Sequence, residues 1–188
     1  MSEEKDFIRA EALRHRQNLT IHPDWAEQAA MAFLTHIPLK PGVVVSLYYP
    51  KDKEMDTLPL AEKLWQKGHL AALPLVRAGE TALDFAHWHL GTELAVGAFG
   101  IPEPKEPKAV DPDIVVLPLL VFDQRGHRLG YGKGYYDAAL KELRKKKPII
   151  AVGYAYAEQA CLFALPAEIH DEPMDYVVTP QRVFDFRS

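Results

Sequence analysis

The chain is predicted to be an α/β domain, a three-layer sandwich with a largely parallel central sheet flanked by helices. Two observations predict it. Short β-branched and apolar runs alternate with segments of helical periodicity along the chain. An apolar run at residues 114–122 also leads through a glycine-rich stretch into a helix-like segment that starts at Tyr135. Length agrees: 188 residues, 48% hydrophobic and 26% charged, make one domain over residues 1–188. A chain of that size buries roughly 70% of its unfolded surface, enough for a sizeable core.

The elements follow in order. Residues 3–18 suit a charged helix in which Phe7, Ala10 and Leu13 form a narrow apolar stripe and Lys5 and Arg9 share a face. A second helix starts after Pro23, with Asp24 as its cap and Glu27 three residues on. Its apolar face is Ala26, Ala29, Ala30, Phe33, Leu34 and Ile37, and Pro38 ends it. Residues 43–49 read as a buried strand. Thr57 caps a third helix that turns Leu60, Leu64 and Trp65 inward and stops near Gly68. Residues 70–76 form the next strand, and residues 81–88 alternate as an edge strand or hairpin partner. The proline-rich stretch 98–113 is an ordered extended connection within the domain. Residues 114–120 form a strand, 135–147 a helix with Ala139, Leu140 and Leu143 inward, and 149–155 and 176–179 two more strands. A short return follows at residues 183–186.

Composition removes several classes of function. A formal net charge of −4 argues against a nucleic-acid partner, which calls for a strongly basic surface. Cys161 is the only cysteine, so an intrachain disulfide framework and cysteine-based zinc or iron–sulfur sites are excluded. Its apolar neighbours make it an inert buried thiol. The N-terminus, Ser2-Glu3-Glu4-Lys5-Asp6, has no apolar segment of signal-peptide type, and the longest apolar run is about half of a membrane span. A cytoplasmic protein without a membrane partner is expected.

The stretch 126–137, G-H-R-L-G-Y-G-K-G-Y-Y-D, carries the chemistry. Strand, glycine loop and helix in this order build a cradle for phosphate. Glycines let the backbone approach an anion, the helix start supplies unpaired N–H groups, and lysine adds a full charge. Two common versions are excluded. A Walker A loop needs glycine where His127 stands and Ser or Thr where Gly134 stands, and the dinucleotide fingerprint needs glycine at Tyr135. An enzyme acting on a phosphorylated compound, a nucleotide first, is the reading.

Each candidate has a plainer alternative. Lys133, expected to be buried between glycines, would neutralise charge in phosphoryl transfer, or be a solvated lysine on a flexible turn. Arg128 would hold a second phosphate or pair with Asp123. Tyr135 and Tyr136 would stack on a base or pterin ring, or pack in the core. Asp137, in the first helical turn, would seat magnesium or complement the helix dipole. His87 and His89 have metal-binding spacing but no third ligand, so surface or core histidines are the better reading. The basic run 144–147 is explained by the end of a helix.

The glycine stretch, following Phe122-Asp123, resembles the signature of the 5-formyltetrahydrofolate cyclo-ligase family. Other pieces agree in order: Lys5-x-x-x-Arg9, Glu54-x-x-Thr57, Phe99-Gly100-Ile101-Pro102-Glu103-Pro104, and His170-Asp171 before a final strand ending at Thr179. One departure is Leu119-Leu120-Val121, where small residues are common. The resemblance implies a three-layer fold and an ATP- and magnesium-dependent conversion of 5-formyltetrahydrofolate into 5,10-methenyltetrahydrofolate. It implies ATP contacts at Lys5, Arg9, Arg128, Leu129, Gly130, Tyr131, Gly132, Lys133, Gly134, Tyr135 and Tyr136, with Lys133 and Arg128 the catalytic cations. Folate falls to Tyr49, Glu54, Tyr131, Gly132, Lys133, Gly134 and Tyr135, and Mg2+ to Asp137 and Asp171. Partners would be these small molecules, and the chain a monomer. Two rivals stand beside it: an ATP-independent sugar-phosphate isomerase or acyl-transfer enzyme with Glu54 as base, and a non-catalytic nucleotide or folate binder.

Overall fold

The computed structural model describes residues 3–77, 79 and 81–187, so Ser2, at the start of the stretch discussed above, lies outside the described residues. Helices α1 (Glu3–Asn18) and α2 (Trp25–His36) precede strand β1 (Val44–Ser46). Helix α3 (Leu58–Gln66), strands β2 (Leu70–Val76) and β3 (Leu83–Trp88), and a ribbon of β4 (Leu94–Val96) and β5 (Pro102–Pro104) follow. The second half contains β6 (Ile114–Leu117), a small hairpin of β7 (Val121–Phe122) and β8 (Arg128–Leu129), and α4 (Tyr135–Lys146). Strands β9 (Ile150–Tyr154), β10 (Tyr176–Val178) and β11 (Val183–Asp185) end the chain.

The central sheet runs β11-β10-β9-β6-β1-β2-β3. Its inner strands from β10 to β2 pair in parallel, and β11 and β3 pair antiparallel at the two edges. The three-layer sandwich is therefore as expected. Alternate strand residues explain it. Val45, Leu73, Val116, Val152 and Val178 face α2 and α3 through Ala29, Phe33, Leu60 and Leu64. Val44, Ala72, Val115, Ala151 and Val177 face Ala139, Leu140 and Leu143 of α4. Strands covered on both faces have to be apolar throughout, which is why they read as continuous runs.

Edge strand β3 is covered on its outer side. The connection 98–113, which contains β5, turns back along it, with His87 N–H donating to Lys108 O and Val110 N–H to Phe85 O, both at 2.9 Å.

Several local expectations are corrected. Strand β6 stops at Leu117 because Pro118 has no N–H to offer the ladder. Beyond it, Leu119, Leu120 and Val121 are buried, so the bulky departure from small residues is used as packing beneath the glycine loop. The α2 cap is absent: Asp24 makes no side-chain bond to the helix start. Thr57 does not cap α3 either. Its hydroxyl donates to Tyr48 O at 2.6 Å, and Asp56 takes the cap role by accepting from Leu58 N–H at 2.9 Å.

The largest correction concerns α1. Phe7 is 69% exposed and Ala10 is exposed as well. The inward face is instead Lys5, Ile8, Arg9, Ala12 and Arg16, with Lys5 and Arg16 fully buried. A helix with so few apolar residues cannot choose its face by hydrophobicity alone; ion pairs and packing against the β7–β8 hairpin set its rotation. Cys161 packs against the same hairpin beside Ile8 and Ala12. It is half-buried rather than fully buried, and burial pushes its thiol up, so it stays protonated.

Candidate active site

Strand β2 lies to one side of β1, and β6, β9 and β10 to the other, so chain order reverses between β1 and β6. Parallel α/β sheets open a crevice beyond the strand ends at such a point, because the loops diverge to opposite faces. Here a cavity of about 690 Å³ occupies it. The loop after β1 brings Tyr49 and Glu54, the segment after β8 brings residues 130–134, and α1 brings Lys5 and Arg9. Every residue proposed from sequence for ATP, folate or metal lines this one cavity.

The glycine loop is organised from below. Asp123, fully buried, accepts from the N–H groups of Arg125, His127 and Leu165 at 2.9, 3.0 and 3.0 Å. Burial alone would raise its carboxyl, but these donors and Arg125 Nε outweigh burial and hold it below the usual range. With Gly126 at φ 80°, the carboxylate closes the β7–β8 turn. Arg125, not Arg128, is thus the partner of Asp123.

Arg128 lies the other way. Its Nη1 donates to Glu172 O at 2.7 Å and its Nη2 to Asp137 Oδ1 at 2.9 Å. Asp137 also accepts from Glu172 N–H at 3.0 Å, so it ties α4 to the 168–172 loop. Gly134 caps α4 at φ 71°, which leaves the first N–H groups of the helix without a side-chain cap and directed at the loop.

Lys133 is exposed, contrary to the expectation of burial, and its Nζ lies 5.6 Å from the centroid of the Phe99 ring. Phe99 also meets Tyr135 at 6.1 Å and sits at φ 57°, a strained angle for a bulky residue, with its carbonyl accepting from Lys51 Nζ at 3.3 Å. Tyr136 is half-buried, and burial raises its hydroxyl well above the usual range. Tyr49 meets Trp88 at 6.3 Å.

Glu54 is half-buried beside Tyr48 and Tyr136. Desolvation raises its carboxyl, against the opposing pull of the Lys51 N–H, which donates to it at 3.0 Å. Lys5 is 3% exposed and pairs with Asp171 at 2.7 Å and Glu168 at 3.2 Å. For Asp171, burial acts upward, while Lys5 and the Glu168 N–H bring the carboxyl down on balance. Among the described residues, the one cluster of metal-type side chains is Glu168, His170 and Asp171, with donor atoms within 4.8 Å of one another. His87 and His89 do not belong to this group.

The sequence reading missed Glu168, Lys51 and Arg16. Arg16 left a signal: it stands two helical turns beyond Arg9, on the face of Lys5 and Arg9. Glu168 and Lys51 left none, because only the tertiary fold brings their loops to the cavity.

Comparison with known proteins identifies the family and the fold. Residues 1–180 match the 5-formyltetrahydrofolate cyclo-ligase family. The 5-formyltetrahydrofolate cyclo-ligase of Escherichia coli K12 is 35% identical over 171 residues, covering 87% of this chain and 92% of that protein. The Haemophilus influenzae cyclo-ligase is 33% identical over 181 residues, covering 92% and 96%. The solved structure of Aquifex aeolicus 5,10-methenyltetrahydrofolate synthetase superposes with a TM-score of 0.80 at 32% identity, covering 98% of this chain and 93% of that one. With the glycine loop, the basic face of α1 and Glu54 around one cavity at the switch point, the chain belongs to the 5-formyltetrahydrofolate cyclo-ligase family.

Proposed function

We propose that this protein converts 5-formyltetrahydrofolate into 5,10-methenyltetrahydrofolate, consuming ATP and releasing ADP and phosphate. The observation that carries the reading is the single cavity in which a phosphate cradle, Arg128 and Glu54 meet. The formyl oxygen takes the γ-phosphoryl group, which turns a poor leaving group into a good one. The second folate nitrogen then attacks the activated carbon and releases its proton to solvent, the carbon–oxygen bond breaks, and phosphate departs.

The residues divide this work. Lys133, Arg128 and the N–H groups of the loop neutralise the phosphates, and the long lysine side chain can reach the transferring group from its exposed position. Lys5 and Arg9 hold the nucleotide from α1. Tyr49, Glu54 and Tyr135 orient the folate, with Glu54 accepting from N–H groups of the pterin ring. Burial of Glu54 strengthens such bonds by excluding competing water. No side-chain nucleophile is needed.

Asp137 and Asp171 offer the hard oxygen donors that magnesium prefers, Asp171 from within the Glu168–His170–Asp171 cluster and Asp137 from outside it. Among the described residues, Asp137 accepts its two hydrogen bonds on Oδ1 and Asp171 accepts its two on Oδ2. The second oxygen of each is the natural donor, and Asp137 and Asp171 would hold the ion. When bound, Mg2+ offsets charge on the phosphoryl oxygens.

No helix among the described residues is long and apolar enough to cross a membrane. A cytoplasmic monomer working on small molecules, with neither nucleic acid nor membrane as partner, completes the proposal. The test is direct. Purified protein with 5-formyltetrahydrofolate and magnesium-ATP should develop the near-ultraviolet band of the methenyl product, and omission of ATP should abolish it. A flat trace with ATP present would refute the reading.

A further inference from the structure

Arg16 is 1% exposed, yet its charge has no carboxylate partner within 4 Å among the described residues. Its Nη1 donates to Leu119 O at 3.4 Å, its Nη2 donates to the Tyr131 hydroxyl, and its Nε is buried without a hydrogen-bond partner. Burying a guanidinium with no carboxylate in contact is costly even with Glu54 acting on it from a distance, and a leucine or methionine would pack at lower cost if filling space were the only task. The charge is therefore put to another use.

Tyr131 indicates what that use is. It lines the cavity, about half exposed, between Gly130 and Gly132, the latter at φ 85°. A Cβ built at Gly130 would meet nothing within 4 Å, so no neighbouring group packs over that side of the loop. The tyrosine ring lies 5.5 Å from Arg16 Cζ, and its hydroxyl is bonded to the same guanidinium. The anchor at the other end is firm: Leu119 O also accepts from Gln159 Nε2 at 2.8 Å, and Gln159 Oε1 accepts from Tyr156 N–H at 2.9 Å. Lys5 and Arg9 project from the same face of the helix that carries Arg16.

We propose that Arg16 is a positioning residue which, through Tyr131, locks α1 to the glycine loop so that both present their cations to one nucleotide. The proposal rests on the ATP-dependent reading above. Without this strut, a loop with glycine at 130, 132 and 134 samples many conformations, and ATP has to order it on binding.

The experiment compares Tyr131→Phe, Arg16→Gln, Arg16→Lys and the Tyr131→Phe/Arg16→Gln double variant. Tyr131→Phe and Arg16→Gln should each raise KM for ATP on the order of tenfold, as expected for a lost charged hydrogen bond, with a smaller change in kcat. The double variant should be no worse than either single, and Arg16→Lys should recover part of the loss. Hydrogen exchange of the amides at 130–134 should quicken in Tyr131→Phe and Arg16→Gln. Unchanged KM and unchanged exchange in Tyr131→Phe, or losses that add in the double variant, would overturn the proposal. If Arg16→Gln does not fold, Tyr131→Phe decides alone. Wild-type protein without turnover would refute the activity instead, and loop exchange would still decide the strut.

Discussion

Lys133 stands between Gly132 and Gly134 with only an aromatic ring for an electrostatic neighbour among the described contacts. A cation–π contact at an exposed site contributes about 0.5–1 kcal/mol, so the side chain can leave Phe99 for a phosphate at little cost. Lys133→Ala should therefore leave the circular dichroism spectrum and melting temperature unchanged. Turnover should fall at least a hundredfold, the usual loss when a preorganised donor to developing charge is removed. Near-normal kcat would end its assignment. Glu54 makes the opposite trade. Its carboxyl is raised by burial, so the folded protein binds its proton more tightly than the unfolded chain does. That contribution to stability is complete below the unfolded value, near pH 4, and is lost as pH rises through the folded value. Glu54→Gln should thus melt higher than wild type at pH 7 and nearly level with it at pH 4, while KM for the formyl folate rises. Melting curves at the two pH values and a substrate titration check both halves.

At the scale of elements, the strands and helices that face the core were legible, and those that face the ligand were not. The apolar runs of β2, β6 and β9 and the face of α4 have no alternative burial, so periodicity finds them. The rotation of α1 went the other way. Its inward residues are mostly charged, and a hydrophobic count selects Phe7, which points to solvent. The β7–β8 hairpin was also unforeseen, because two-residue strands carry no periodicity and the turn is closed by Asp123 with a donor forty-two positions on, at Leu165. One strand position shows how tightly the elements fit. A Cβ at Gly153 of β9 would lie 2.6 Å from Met174 Sδ, 2.8 Å from Leu119 Cδ2 and 2.9 Å from Val177 Cγ2. Gly153→Ala should destabilise the protein by about 1–3 kcal/mol through overpacking, measured by denaturant unfolding. An increase in stability would mean that the neighbours repack freely.

For the molecule as a whole, the site is assembled from segments distant in sequence: α1, the loop after β1, the glycine loop and the loop 168–172. The loop after β1 joins one principal core cluster through Leu47, Tyr48 and Met55, and α4 starts against the other with Tyr135 and Tyr136, whereas α1, residues 130–134 and the loop 168–172 belong to neither. Removing magnesium should accordingly stop catalysis without unfolding the chain. Chelation with EDTA is expected to abolish turnover reversibly while the melting temperature shifts by less than about 2 °C, since a site on loops adds little to the core. A collapse in melting temperature would instead make the ion part of the fold. By itself, the sequence determined the layer order, the parallel core and the glycine loop, because apolar periodicity and closely spaced glycines are local properties. The tertiary structure alone decided that Arg128 pairs with Asp137, that Lys5 bridges Glu168 and Asp171, and that Arg16 grips Tyr131. Charges choose partners by distance in space, and only the folded sheet sets those distances.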